Sequence, residues 1–200
     1  MRFVFLDPGP LIDNELQLVA PDLRWVDDLL FAAHHPQTVR ESPHDASATR
    51  QKLLDFLAAA PQGRQAADAA TGRVPAYHFW MRLAEPLGEP PITLAGGIGL
   101  RLGITRELEL YSGNVGYHVY PPARGHHYAE RACRLVLPLA RRHGMDHLWI
   151  TCNPDNAASR RTCERLGARL VDTVAIPKDH PFRSRGETAK CRYWLDLSQL

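Results

Sequence analysis

Apolar and polar residues alternate through "ELQLVAP" (Glu15 to Pro21), the period of a strand with one buried face. The period then changes: in "DLRWVDDLLFAAHH", Leu23, Val26, Leu30 and Ala33 recur at helical spacing. A second helix is predicted from Ser47 to Ala60, stopped by Pro61, and "PQGRQAADAATGRVP" after it reads as a mobile loop. Strand character follows in "AYHFWMRLA" and "ITLAGGIGLRL", joined by the proline-rich turn "EPLGEPP". "GITRELELYSGN" fits both periods, Ile104, Leu108 and Tyr111 a helical turn and Leu108 with Leu110 a strand, and is assigned as a loop with a short helix. "NVGYHVY" is the next strand, closed by Pro121 and Pro122.

The longest helix is predicted from about Gly125 to His143, with Gly144 as its stop. Tyr128, Ala132, Leu135 and Leu139 mark its apolar face, and Arg131, Arg134 and Arg141 lie opposite. Pro138 falls on the polar side, where the carbonyl it orphans near Arg134 can bond water, so a bend is expected rather than a break. A strand "HLWITCN", a short helix from about Asn156 to Leu166 capped by Gly167, and strands "ARLVDTVAI" and "CRYWLDL" complete the chain. Early helices, then strands, then helices alternating with strands argue an α/β (α+β) fold, a mixed sheet covered by helices.

Composition bounds this picture. Two hundred residues, 44% of them apolar, suit one domain spanning 1–200. A net charge of +2 gives no global pull toward nucleic acid or an anionic membrane, so any anion site must be local. Cys133, Cys152, Cys163 and Cys191 are widely spaced with no CxxC pair, which reads as reduced thiols rather than a disulfide framework or a zinc site. The apolar run Phe3 to Leu6 is too short for a signal segment and no window approaches a membrane span, so a cytoplasmic location is expected. The pairs His34/His35 and His126/His127 diverge by about 100° on a helix and need distant ligands to hold a metal, so no metal site is expected.

The chemistry concentrates in "PPARGHHYAER" (Pro121 to Arg131). A long helix begins here, yet its first acidic residue is Glu130, although helix starts favour carboxylates. A strand, a short loop and a helix start without carboxylates can bind phosphate on main-chain N–H groups. Gly125 lets the chain approach closely, and Arg124 can add a charge-assisted hydrogen bond. The chain has no GxxxxGK(S/T), and no GxGxxG follows its first strand, which removes the P-loop and the usual dinucleotide fold.

"VGYHVYPPARGHHYAERACRLVL" followed by "LWITCNPDNAASRRTCERLGA" resembles the GNAT acetyltransferases: a strand, a (Q/R)xxGx(G/A)-like loop opening a helix, a second strand, and an NxxSxxxxEKxG-like helix. "VPAYHFW" and the terminal "RYWLDL" extend the similarity toward an uncharacterised bacterial subgroup. The resemblance implies a central sheet splayed between its fourth and fifth strands, flanked by about four helices. It implies acetyl-CoA as cosubstrate, with the pyrophosphate on the main chain from Gly125 through His126, His127 and Tyr128 to Ala129 and with Arg124 nearby. The strand edge from Tyr117 through Val119 to Tyr120 would pair with the pantetheine, and Asn156 and Ser159 match positions beside that arm. His127 stands where the family pattern has glycine.

The implied activity is acetyl transfer to a small-molecule or peptide amine by direct attack in a ternary complex. The alternative is a CoA-binding or interaction module without turnover, and a homodimer is one expected state. Freeing a lysine-like amine of its proton at neutral pH costs about 4 to 5 kcal/mol, so a base is worth having. Relatives often place glutamate where this chain has Asn114. Candidates are His118 on the strand, Glu107 or Glu109 before it, or a water held by Asn114. Cys163 stands where many relatives have a tyrosine acid. Arg160, Arg161 and Arg165 are candidates for the 3′-phosphate.

Overall fold

A computed structural model describes residues 3–198. Its strands are β1 (Leu16–Val19), β2 (Arg64–Gln65), β3 (Ala76–Leu87), β4 (Ile92–Arg101), β5 (Val115–Val119), β6 (His147–Cys152), β7 (Arg169–Ala175) and β8 (Ala189–Asp196). Its helices are α1 (Val26–Ala33), α2 (Pro36–Glu41), α3 (Arg50–Ala59), α4 (Tyr128–Arg142) and α5 (Ala157–Arg165). One sheet runs β1-β3-β4-β5, with the two-residue β2 also on β3, and a second runs β6-β8-β7. With β2 set aside, the break between sheets falls between the fourth and fifth strands, as the resemblance implies. Pairing within each sheet is antiparallel, so the mixed character reduces to the junction where β5 and β6 meet without a ladder.

Alternation along β3 decides which helix covers which face. Phe79 and Met81 join the large core with Tyr128, Ala132, Val136 and Leu139 of α4. Trp80 points the other way and packs with Val26 and Leu29 of α1 and Leu94 of β4. Each fully buried leucine or valine of α4 contributes roughly 1.5 to 3 kcal/mol relative to exposure. Pro138 and Arg134 are exposed and α4 runs unbroken through them, because the missing hydrogen bond faces solvent.

Element boundaries depart from the sequence reading where local hydrogen bonds decide. α2 has no clear apolar period: it is six residues started by His35, whose Nδ1 accepts from the Gln37 N–H at 3.1 Å, and by Pro36 in the first turn. The second predicted helix splits into a 3-10 turn (Asp45–Ser47) and α3, which begins where the Thr49 hydroxyl caps the Lys52 N–H. β3 continues through the expected turn to Leu87. "GITRELELYSGN" holds one π-helical turn, Leu108–Ser112. α4 starts at Tyr128 rather than Gly125, because Pro121–Ala123 forms its own 3-10 turn and both Gly125 and His127 have positive φ.

The junction of the sheets is built by Gly113 and Asn114. Gly113, at φ 66°, lies so close to β6 that a Cβ would stand 3.0 Å from the Thr151 nitrogen. Asn114 is buried, and its main-chain N–H donates to the Trp149 carbonyl at 2.6 Å. Its side-chain Oδ1 accepts from the Trp149 N–H at 2.8 Å, and Nδ2 donates to the Arg101 and Gly103 carbonyls at 3.2 and 2.8 Å. The Thr151 hydroxyl adds a bond to the Tyr111 carbonyl at 2.7 Å. From this apex the strands diverge.

Candidate active site

The divergence of β5 and β6 opens a cleft of about 800 Å³. One wall is β5 and the start of α4, including Tyr117, His118, Val119, Gly125, His127, Tyr128 and Ala129. The opposite wall is the end of β6 and α5, with Cys152, Asn153, Asn156 and Ser159. Asp45 from the turn after α2, and Phe182, Arg185, Glu187 and Lys190 from the chain around the start of β8, complete the lining. β5 pairs with β4 on one side only, so its other edge faces the opening.

At the start of α4 the main-chain N–H groups from Gly125 to Ala129 meet no acceptor among the described residues. These are the orphan donors of a helix start, and Gly125, His127, Tyr128 and Ala129 among them line the cleft. Gly125 has φ 92° and open space where a Cβ would be, so its conformation is what requires glycine there. His127 caps α4 in the left-handed region at φ 58°, and its ring leans onto the Arg165 guanidinium. The left-handed cap explains a glycine preference at this position, and histidine tolerates it at a cost of about 1 kcal/mol. Arg124 is turned back along the cleft: Nε donates to the Val119 carbonyl at 3.2 Å and a terminal nitrogen to the Ser42 hydroxyl at 2.6 Å.

His118 lines the cleft, with one part of the residue open to it and the ring packed on the chain beneath. Its ring lies over Gly97 of β4, where a Cβ would come within 2.9 Å of it, and meets the Tyr120 ring edge-on at 5.2 Å. Desolvation by the surrounding chain holds its pKa below the usual imidazole value; the Asp45 carboxylate opposes that shift and His44 adds to it. At neutral pH the ring is therefore an uncharged base.

Across the cleft the Tyr117 hydroxyl meets the Ser159 hydroxyl at 2.8 Å, and burial pushes the phenol well above its ordinary range. The neighbouring Cys163 and Ser159 side chains, with Lys190 nearby, lower the Cys152 thiol to about 7 against the effect of burial, while Cys163 itself is driven strongly upward. Asn156 holds α5 in place, accepting from the Ser159 N–H at 3.0 Å.

The sequence residues 16–169 match the family model described as the acetyltransferase (GNAT) domain. The chain belongs to the GNAT acetyltransferase family. Solved structures agree in fold. The microcin C7 self-immunity acetyltransferase MccE, solved with acetyl-CoA and AMP, aligns at TM-score 0.65 and 15% identity over 92% of this chain and 93% of that one. The ribosomal L7/L12 α-N-protein acetyltransferase RimL, solved with coenzyme A, aligns at 0.64 and 14% over 94% and 98%. A GCN5-related N-acetyltransferase from Brucella melitensis aligns at 0.63 and 16% over 99% and 82%. No curated protein matches the sequence at a significant level.

Against this GNAT frame the predicted residues divide. Tyr117, His118, Val119, Arg124, Gly125, His127, Tyr128, Ala129, Asn156 and Ser159 line one cleft, together with Arg161 and Arg165. Buried Tyr120 and the exposed His126, stacked on Tyr128, stand off its wall. Glu107 bonds the Ser112 hydroxyl and His180 at 2.7 and 3.2 Å, Glu109 faces Arg192, and Arg160 reaches the Tyr193 hydroxyl, all outside the cleft lining. Both polar side-chain atoms of Asn114 are bonded within the junction, and Asn114 does not line the cleft. Cys163 is fully buried beneath the wall and not on it. Sequence reasoning missed Asp45 and Cys152, which arrive from separate segments with no shared motif. Cys152, inside the quoted "LWITCN" strand and four residues before Asn156, was the one with a positional signal.

Proposed function

We propose that this chain is an acetyl-CoA-dependent N-acetyltransferase acting on an amine by direct transfer in a ternary complex. The observation that carries the reading is the set of unengaged main-chain donors at Gly125, His127, Tyr128 and Ala129, residues that line the same cleft as His118. Those donors fit a diphosphate, and the free β5 edge fits the amides of a pantetheine arm. Arg161 and Arg165 add positive charge on the α5 side. The acetyl-CoA in MccE and the coenzyme A in RimL support the same reading. For Arg124 the expectation is altered: its guanidinium is held on Val119 and Ser42, and phosphate binding would fall mainly to the main chain.

Acetyl-CoA supplies an acetyl group activated as a thioester. His118, neutral in the cleft, takes one proton from the amine nitrogen, whose electron pair then forms the new C–N bond as the C–S bond breaks. As the C–N bond forms, the nitrogen sheds its second proton, which reaches the departing sulfur through the hydroxyls and thiol at Tyr117, Ser159 and Cys152, leaving each of those groups as it began. This cluster replaces Cys163, which does not reach the cleft. A thiol leaves readily even with modest acid help, because its pKa of about 8.5 is already low.

Calorimetry with CoA and thiol release over a panel of primary amines test the reading. Native protein is expected to bind CoA and release thiol only with an amine present. Gly125→Asp places a carboxylate among the N–H donors and should weaken CoA by about 100-fold, roughly 2.7 kcal/mol. Unchanged affinity in that variant would remove the donor row from the site. Asn114 in place of an inherited glutamate favours one rival, a CoA-binding module without turnover. Tight CoA binding with no amine-dependent thiol release would establish that rival.

A further inference from the structure

Asp45 is a carboxylate without a donor. Two of the cleft-lining residues are acidic, and Glu187 is paired with Lys190, which also donates to Asn153 at 2.8 Å. The Asp45 side chain is only 22% exposed, yet no hydrogen-bond donor among the described residues reaches it; its nearest cation is the His44 ring, 94% exposed and 3.8 Å away. A carboxylate that lines a cleft with no protein donor on it is available to a cationic group that enters the cleft.

The backbone does not leave Asp45 free to turn outward. The segment carrying it is pinned to α1 by His34 Nε2 on the Ala48 carbonyl at 3.0 Å and to α3 by Lys52 on the Ser47 carbonyl at 2.9 Å. Arg124 ties it to the loop before α4 through Ser42 at 2.6 Å. Three separate elements thus hold one turn at the mouth of the cleft, on the side where His118 stands. Both side chains line the same space, and the Asp45 charge is felt at His118 and at Tyr120.

We propose that Asp45 determines acceptor specificity: its carboxylate receives the ammonium form of a primary amine and holds it against His118, so the acceptors are cationic amines rather than neutral or acidic ones. The assignment rests on the proposed acetyl transfer, with His118 as base. The groups facing His118 are Asp45 and His44 from the turn, Tyr120 from its own strand, and the side-chain-free Gly97 of β4. A proton moving onto His118 creates an imidazolium, and the Asp45 charge stabilises it.

The test compares native protein, Asp45→Asn and Asp45→Glu, each first shown to bind CoA by calorimetry. With 1,4-diaminobutane as acceptor, Asp45→Asn is expected to raise KM at least tenfold with a smaller change in kcat, and Asp45→Glu to recover most of the loss. The acidic limb of kcat/KM should move to lower pH in Asp45→Asn, because the imidazolium loses its counter-charge. An NMR titration of His118 should show the same displacement without any turnover. Equal KM for the native protein and Asp45→Asn, or an unmoved His118 titration in a folded, CoA-binding variant, overturns the proposal. If native protein acetylates no amine, the transfer reading fails by itself. Asp45 is then judged by calorimetry of 1,4-diaminobutane on the CoA-loaded protein, where heat in native and Asp45→Glu but not in Asp45→Asn supports it, and no heat in native refutes it.

Discussion

Two parts of the cleft are built by different means. At the start of α4 the groups that matter are consecutive main-chain N–H donors, presented by a helix end that needs one glycine and an absence of acid. The side chains proposed to act are placed differently: His118 comes from β5, Asp45 from a turn seventy-three positions earlier in the sequence, and Lys190 and Glu187 from the chain around the start of β8. The first tolerates almost any side chain that leaves the backbone in place. The second depends on the identity of each residue, and there the family can change acceptor without changing fold.

The sharpest separation of the two parts is His118→Ala. Its amine-dependent rate is expected to fall by about 10² to 10⁴, the usual range for a positioned base, while calorimetry gives an unchanged CoA affinity. In native protein kcat/KM should rise with pH along a limb centred below the ordinary imidazole value, since the neutral ring is the active form and desolvation holds its pKa down. A limb above that value, or full activity in the variant, would move the base elsewhere in the cleft.

Asn114→Ala attacks what both parts share. It strands the Trp149 N–H and two carbonyls at the buried junction and should cost about 3 kcal/mol in denaturant unfolding, with CoA affinity and amine turnover falling together. Loss of turnover alone, with native stability, would instead make Asn114 part of the chemistry. The smallest expected effect is His127→Gly. Relief of the left-handed cap should raise stability by up to ~1 kcal/mol with CoA bound at least as tightly, if the cofactor part depends on backbone alone. A drop in CoA affinity would show that the imidazole contributes a contact.

Legibility from sequence follows the same division. The helix start, its missing acids and the strand before it are contiguous, so a short run of letters carried the cofactor part, and the splayed sheet came with the motif order. Asp45 could not be read, because α2 and the turn after it are short, without an apolar period, and positioned by bonds from His34, Lys52 and Arg124 that no spacing announces. Glu109 looked suitable by proximity to β5, yet it faces Arg192 outside the cleft. Asn114, a candidate holder of a water, is instead bonded inside the fold through both side-chain atoms, an outcome that depends on Trp149 thirty-five positions later.

Asn114 and Gly113 have a mechanical meaning for anything that enters the wedge above them. With the two sheets riveted at their point of contact, the slot has a set width before a guest arrives, and little ordering is left to be done on arrival. Adaptation to guests of different shape is then left to the segments at the rim, while the base of the wedge stays rigid.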